Sequence, residues 1–433
     1  MALNTRIGPT AAAAALGLAA LAGAGSAKAV TCTSVVGSLP EALKTHVIYG
    51  SGGSAITPTL AKVAYVLSQS ATNPVFVFYQ DGKGAGTGLA TFKAGNGGTT
   101  GNTFKYWLTA TDVTGTAPTC TADDPIAGRP VDFATVGGTV GLFGFTPDAD
   151  VGTFTGPTQG INIVVPFASS ETSISTEALY YVYGFSDASQ LGGAETIIPW
   201  TNKDYIFKRA ATAFVQQFLR GAISTLGVNF PAEFGVAKAS SPDSNQGSVD
   251  NVIAAASGGH VQEAIGFTSG PTADKNRGTG KIHTLAYQHT GQDAAYWPDS
   301  TADASDKINI RNGHYFLWDT NQFLTKVTGS AAHPTLDQIV NADVKTFIGL
   351  FSGQVLSVDV TKAIIETGSI PQCAMQVTRS SDFTGLACAA PANPCGHYFD
   401  SIATGVATGD ACTKDADCGP AEPKCHFNFC EAY

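Results

Sequence analysis

The chain has 433 residues, 43% of them hydrophobic and only 13% charged, with 24 Lys and Arg against 34 Asp and Glu. That length predicts two to three domains at roughly 150 residues each, and so hydrophobic a chain is not a disordered one. A net charge of −10 excludes nucleic acid as the main partner, because a phosphate backbone calls for a basic face.

The segment from Met1 to Ala29 predicts a signal peptide. Arg6 stands in a short basic region, Thr10 to Gly25 is a run of Ala, Leu and Gly, and Ala27-Lys28-Ala29 fits the small-x-small cleavage rule. The run is too short and too rich in Ala and Gly for a membrane span, so Val30 becomes the expected mature N-terminus. Cys32 leaves lipid attachment as an alternative, against which the preceding Thr31 counts. No later stretch reaches 18 apolar residues. The expected product is a soluble mature chain, periplasmic or extracellular.

Strand, glycine turn and helix then follow one another twice. His46-Val47-Ile48-Tyr49 is β-prone, Gly50 to Ser54 is a tight loop, and Ala55 to Ser68 carries Ile56, Leu60, Val63, Ala64 and Leu67 at helical spacing. Val75 to Tyr79 is a second strand, Asp81 to Gly88 a second glycine loop, and Leu89 begins another helix. Such a series predicts a parallel sheet covered by helices. Residues 94–130 read as an extra hairpin or flap. Ile161 to Phe167 reads as a buried strand, Thr176 to Phe185 and Phe207 to Leu226 as helices, Ser248 to Ser257 as a helix, and Ala264 to Phe267 as a strand. Ile339 to Phe351 and Val358 to Thr367 close the α/β body. After Pro371 the composition changes, and seven of the nine cysteines follow that proline.

A glycine loop entering a helix leaves unpaired N–H groups at the positive end of the helix dipole, which suits an anion. Two such loops in adjacent βα units open at one edge of the sheet, where open α/β proteins bind ligands. Ser51, Gly52, Gly53, Ser54 and Ala55 form the first candidate set, and Lys83, Gly84, Ala85, Gly86 and Thr87 the second. The plainer reading is that these glycines only make turns. Nucleotide motifs fail on context: Gly278-Thr279-Gly280-Lys281 lacks the first glycine of a Walker loop. No G-x-S-x-G elbow or H-E-x-x-H helix is present. The histidines His260, His283, His289, His314 and His333 are dispersed, and Asp123, Asp124 and Asp299 read as loop acids.

The order of segments resembles the periplasmic phosphate-binding proteins of the type 2 periplasmic binding class. Tyr49 to Ala55 with Pro58 to Lys62 is similar to that family's first loop and helix. Phe78-Tyr79-Gln80-Asp81-Gly82-Lys83-Gly84-Ala85-Gly86 is similar to its second loop, Val131-Asp132-Phe133-Ala134 to its V-D-F-G strand, and Ser248 to Phe267 to its later helix and strand. The likeness runs from about Val47 to Thr367. It implies an α/β, two-lobed fold with mixed sheets flanked by helices: lobe I from residues 30–164, lobe II from 165–316 and a return segment over 317–370. It also implies a hinge of two strand crossings, near Ile163–Phe167 and Tyr315–Trp318. The implied function is non-enzymatic: a small oxyanion held in the interlobe cleft, without cofactor or metal, by a monomer that serves an ABC-type permease. Departures are plain. Lys83 stands where the family has a Ser, Gly137 where it has an Asp, and Ala213-Phe214-Val215 where it has S-G-T. Arg209 is either the second-lobe arginine of the site or a surface helix charge beside Lys208. The alternative to solute binding is a surface interaction module that keeps the fold without a ligand, and a secreted hydrolase stands third.

The tail over 371–433 has too few apolar residues for a core of its own, so disulfides are its expected source of order. Cys412, Cys418, Cys425 and Cys430 allow three pairings. Zinc, with His426 beside Cys425, is the alternative, against which the missing C-x2-C knuckle counts. Cys32 and Cys120 are expected to pair in the first lobe. Cys373, Cys388 and Cys395 form a trio, and nine is odd, so one thiol is left over.

Overall fold

The structure is a computed structural model, and it describes residues 30–81, 84–94, 102–123, 131–185, 199–223, 238–329 and 334–432. The predicted signal peptide, Lys83, Asp124 and His333 lie outside the described residues. The chain opens with α1 (Cys32–Ser38), α2 (Glu41–Lys44), β1 (Val47–Gly52), α3 (Thr57–Ser68), β2 (Phe76–Gln80) and α4 (Ala85–Ala94). Then come β3 (Thr103–Lys105), α5 (Ala110–Thr114), β4 (Thr119–Thr121), β5 (Phe133–Gly137) and β6 (Val151–Pro166). A second set holds β7 (Ser173–Ser175), α6 (Thr176–Leu179), β8 (Phe207–Lys208), α7 (Phe214–Ile223), β9 (Lys238–Ala239) and α8 (Asn245–Ser257). It continues through β10 (Gly266–Ser269), α9 (Gly270–Arg277), β11 (Ile282–Thr284), β12 (Ala286–Gln288) and α10 (Ile308–Arg311). The chain returns as β13 (Trp318–Lys326), α11 (Ala342–Phe351) and α12 (Val358–Ile365). It ends in β14 (Val377–Arg379), β15 (Leu386–Cys388), α13 (Gly396–Thr404), β16 (Lys424–His426) and β17 (Phe429–Glu431).

The main sheet runs in the order β10-β6-β13-β5-β1-β2-β3-β4, with β11 also on β6. It is a mixed α/β fold, as expected from the sequence. β1 is parallel to β2 and β5, with Val47 opposite Phe76 and Gly50 opposite Phe133, while β13 is antiparallel to both β5 and β6. Alternation sorts the side chains to two covered faces. Ile48, Val77, Phe133 and Phe323 meet α3, α11 and α12 through Leu60, Val63, Phe347 and Ile364. Tyr49, Phe76, Phe78 and Ala134 face the other way, toward Leu89 and Phe104. Each such fully buried large side chain is worth about 1.5–3 kcal/mol by area.

β6 joins the two sets of elements. Its residues up to Gly160 pair with β13, and those from Ile161 onward pair with β10 and β11. At the changeover the Ile161 N–H donates to Leu317 O at 2.8 Å.

Several sequence expectations need correction. The helix expected from Phe207 begins only at Phe214: Ile206 bridges Ile265, and Phe207–Lys208 pair with Lys238–Ala239, so this backbone is already taken up in strand pairing. The hairpin expected within residues 94–130 is present as β3 and β4, and what the sequence did not show is that it pairs with β2 and so extends the main sheet. The Thr176–Phe185 helix is an α-helical turn that widens into a π-helical one from Tyr180. The strand expected at Ile161 is already under way there, having begun at Val151.

The cysteines pair as Cys32–Cys120, Cys373–Cys395, Cys412–Cys425 and Cys418–Cys430, leaving Cys388 free and exposed. With all four cysteines of the last cluster in disulfides, their sulfurs are not thiolate ligands, which removes the zinc alternative. Glu431 anchors this cluster to the body by accepting the N–H groups of Gly396, His397 and Tyr398 at the start of α13.

Candidate functional site

The first loop splits into two roles. Gly50 lies under the Phe133 ring, and a Cβ on Gly52 would collide with the Thr135 and Tyr79 hydroxyls. These two glycines therefore serve close packing. Ser51 is fully buried, and its Oγ donates to Gly88 O at 2.9 Å, so its hydroxyl holds α4 and does not face a ligand. Gly53, Ser54, Ala55 and Ile56, by contrast, line a crevice. Tyr79 fixes this turn, its hydroxyl donating to Gly53 O at 3.1 Å while meeting Thr135 Oγ1 at 2.5 Å. Burial pushes the Tyr79 phenol far above its ordinary pKa, so it stays a donor.

In the second loop, Gly84 and Ala85 line the same crevice. Gly84 has φ +97°, and a Cβ there would meet Thr212 O at 2.5 Å, so only glycine fits. The Gly86 N–H donates to Thr212 O at 3.1 Å, which uses the expected donor for a contact between the two sets of elements. Thr87 does not line the crevice.

The facing wall comes from Arg209, Ala213, Phe214, Val215 and Asn245. The reading of Arg209 as a surface helix charge is wrong on both counts: it lies in the turn between β8 and α7 and is 3% exposed. Its Nε donates to Asp243 Oδ1 at 2.6 Å and its Nη1 to Asn245 Oδ1 at 3.0 Å. Burial pulls its pKa below the ordinary value, and Asp243 opposes that shift.

Asp243 and Asn245 were not singled out in the sequence. Their signal is a run of capping residues: Asp243-Ser244-Asn245 leads into α8, and Ser244 Oγ accepts the Gly247 N–H at 2.9 Å. Asn245 also spans the crevice, its Nδ2 donating to Ser54 Oγ at 3.4 Å. Thr135, Val136 and Gly137 of β5, with Asn321 of β13, form the floor.

Helix starts thus point at one space from α3, α4, α7 and α8. Among the described residues, the backbone N–H groups of Ser54, Ala55, Ala85, Phe214 and Val215 meet no acceptor. Orphaned N–H groups in buried surroundings are rare in folded proteins. The crevice is tight, with free room for about one water molecule, and no carboxylate is among its described lining residues. It is narrowed by Phe214, whose ring takes the space that a side chain at position 137 would fill.

None of the described histidines lines the crevice. His289 stacks on Phe316 at 3.5 Å and is held to about pKa 4, first by burial and then by Arg379. His283 meets the Phe167 and Glu171 carbonyl oxygens, and His260 stacks on Tyr205. Asp299, read as a loop acid, is fully buried and paired with Lys307 and Arg277.

No protein-family model matches the chain, and no curated protein matches it. Among solved structures it is similar to an ABC-type phosphate transport receptor from Vibrio cholerae, at 20% identity and a TM-score of 0.44, over 75% of this chain and 99% of that one. It is also similar to a putative phosphate ABC transporter substrate-binding protein with bound phosphate from Clostridium perfringens, at 11% identity and a TM-score of 0.45, with the same coverage. An OxyR protein of Corynebacterium glutamicum is similar at 7% identity and a TM-score of 0.38, over 74% of this chain and 66% of that one. No helix among the described residues is long and apolar enough to cross a membrane.

Proposed function

We propose that this chain is an exported solute-binding protein that holds a small oxyanion, phosphate or similar, in the crevice between its two sets of elements. The observation that carries the reading is the convergence of acceptor-free N–H groups from Ser54, Ala55, Ala85, Phe214 and Val215 beside the buried Arg209 guanidinium. Helix-end amides can neutralise an anion without a free cation, which suits an arginine already paired with Asp243. Delivery to an ABC-type permease by a monomer is the use that the sequence resemblance implies. No reaction is proposed, since no nucleophile and base pair lines the crevice among the described residues.

Calorimetric titration with phosphate and with sulfate tests this. Heat of binding with one of them, lost in Arg209→Gln, is expected. Saturation at a hundred times Kd should add about 2.7 kcal/mol to stability, read as a raised melting temperature. A second reading, an interaction module without a small ligand, is favoured by the Phe214 ring in the crevice and by the Arg209–Asp243 pair. No heat and unchanged melting with either anion would select it.

A further inference from the structure

The hairpin of β14 and β15 belongs to the C-terminal tail, yet it reaches into the body at three places. Arg379 donates through Nη1 to Trp318 O and through Nη2 to Phe316 O, each at 2.7 Å. Its guanidinium lies between two rings, 4.4 Å from the Phe316 centroid and 4.1 Å from that of Trp318. Leu317, between them, is the residue whose carbonyl receives Ile161 where β6 passes from one set of elements to the other. Arg379 therefore grips the strand crossing itself.

The hairpin turn holds the flanks. Asp382 accepts the Thr139 N–H and the Thr139 hydroxyl, both at 2.5 Å, and Thr139 follows β5 on the crevice floor. The next residue, Phe383, packs on Phe218 of α7 at 5.0 Å between centroids, and its ring also lies over Gly221, where any Cβ would collide with it. The residues of α7 just before these, Phe214 and Val215, line the crevice. Two consecutive turn residues thus tie the floor strand β5, of the first set of elements, to the α7 wall of the second, and Arg379 ties the point about which the two sets would move.

We propose that residues 377–388 form an intramolecular clasp that holds the crevice walls together and so governs how often the crevice opens. The clasp acts whether or not an anion binds, so its test is independent of the ligand. Two contacts across the crevice lie away from the hairpin and report on opening: the Gly86 N–H to Thr212 O bond, and Asn245 with Ser54.

Hydrogen-exchange mass spectrometry on the full chain, without added anion, would compare Asp382→Ala, Phe383→Ala and Thr139→Val with the natural sequence. Thr139→Val approaches the contact from the body and leaves the hairpin intact, so it still reports if the tail variants fold poorly. The expected result is exchange about tenfold faster in peptides covering 84–92 and 209–217, with peptides from β1 and β2 unchanged, as for a local opening. Unchanged exchange at 84–92 and 209–217 would overturn the clasp. So would acceleration that β1 and β2 share equally, because the hairpin would then add only general stability.

Discussion

Asp319, the second residue of β13, is 5% exposed, and its Oδ2 meets no donor among the described residues when the group is ionised. Desolvation first, and then the neighbouring Asp382 carboxyl, push its pKa well above the ordinary carboxylate range, against the Thr320 N–H and Arg379, which favour the ionised form. A proton on Asp319 supplies the missing donor and turns a repulsive pair into a hydrogen bond. The folded state then binds that proton more tightly than the unfolded chain. Stability from this site is complete below the unfolded pKa, near 3.8, and is lost as pH rises through the raised folded value. Asp319→Asn, whose amide donates without titrating, should remove that part of the pH dependence. Urea midpoints at acid and at neutral-to-alkaline pH would check it: the natural chain should lose more stability on raising the pH than the variant, and equal losses would refute the assignment. None of this was legible in the sequence. Asp319 is remote in the chain from Arg379 and Asp382 and meets them only through the fold, and a lone aspartate in a strand carries no sign of its partner. Arg209 misled for a related reason: next to Lys208 it reads as one of a solvated pair, and only Asp243 and Asn245, well downstream, reveal its burial.

The two strand–glycine–helix units could be read in advance because their signals are local. A short continuous apolar run in β1 and β2 changes to a period near four in α3, with glycines at the change, and each face finds its own apolar cover. β6 was read short because its first half, Val151 to Gly160, is rich in Thr and Gly. It is made a strand by β13 beside it, a partner from the far side of the second set of elements. What the glycines do is likewise a matter of neighbours. Gly88 in α4 lies so close to Gly52 of β1 that a Cβ would collide with its backbone, whereas a Cβ on Gly37 in α1 would meet nothing within 4 Å. Gly88→Ala should therefore cost about 1–3 kcal/mol through forced separation of helix and strand. Gly37→Ala should be neutral or stabilising by up to about 1 kcal/mol, since it only restricts the unfolded chain. Chemical denaturation of both variants would check the pair. A stable Gly88→Ala protein would mean that α4 is not seated on β1 as closely as the Ser51–Gly88 bond indicates.

At the scale of the whole molecule, three of the four covalent cross-links divide into two kinds. Cys32–Cys120 spans 88 residues and fastens the start of the chain to β4, at the edge of the main sheet. Cys412–Cys425 and Cys418–Cys430 span only 13 and 12 residues, inside a segment that touches the body through α13 and the carboxylate of Glu431. Loop-closure entropy gives the long link about 4–5 kcal/mol and each short one about 3 kcal/mol, but the two energies act on different cooperative units. Replacing Cys32 and Cys120 by Ser should lower the main unfolding transition by about 2–5 kcal/mol, because the entropy is returned to the unfolded form of the sheet itself. Replacing the four cysteines of the last cluster should melt that segment and release Glu431 from α13. The main transition should then move little, since the cores under α3, α11 and α12 and around α8 contain none of that segment's residues, and only its partly buried Phe427 and Phe429 pack against the core on the other face of β1 and β2. Calorimetry of the two variants separates the cases. A single, equally lowered transition in both would show that the tail and body fold as one unit, and the clasp of residues 377–388 would then be the element that couples them.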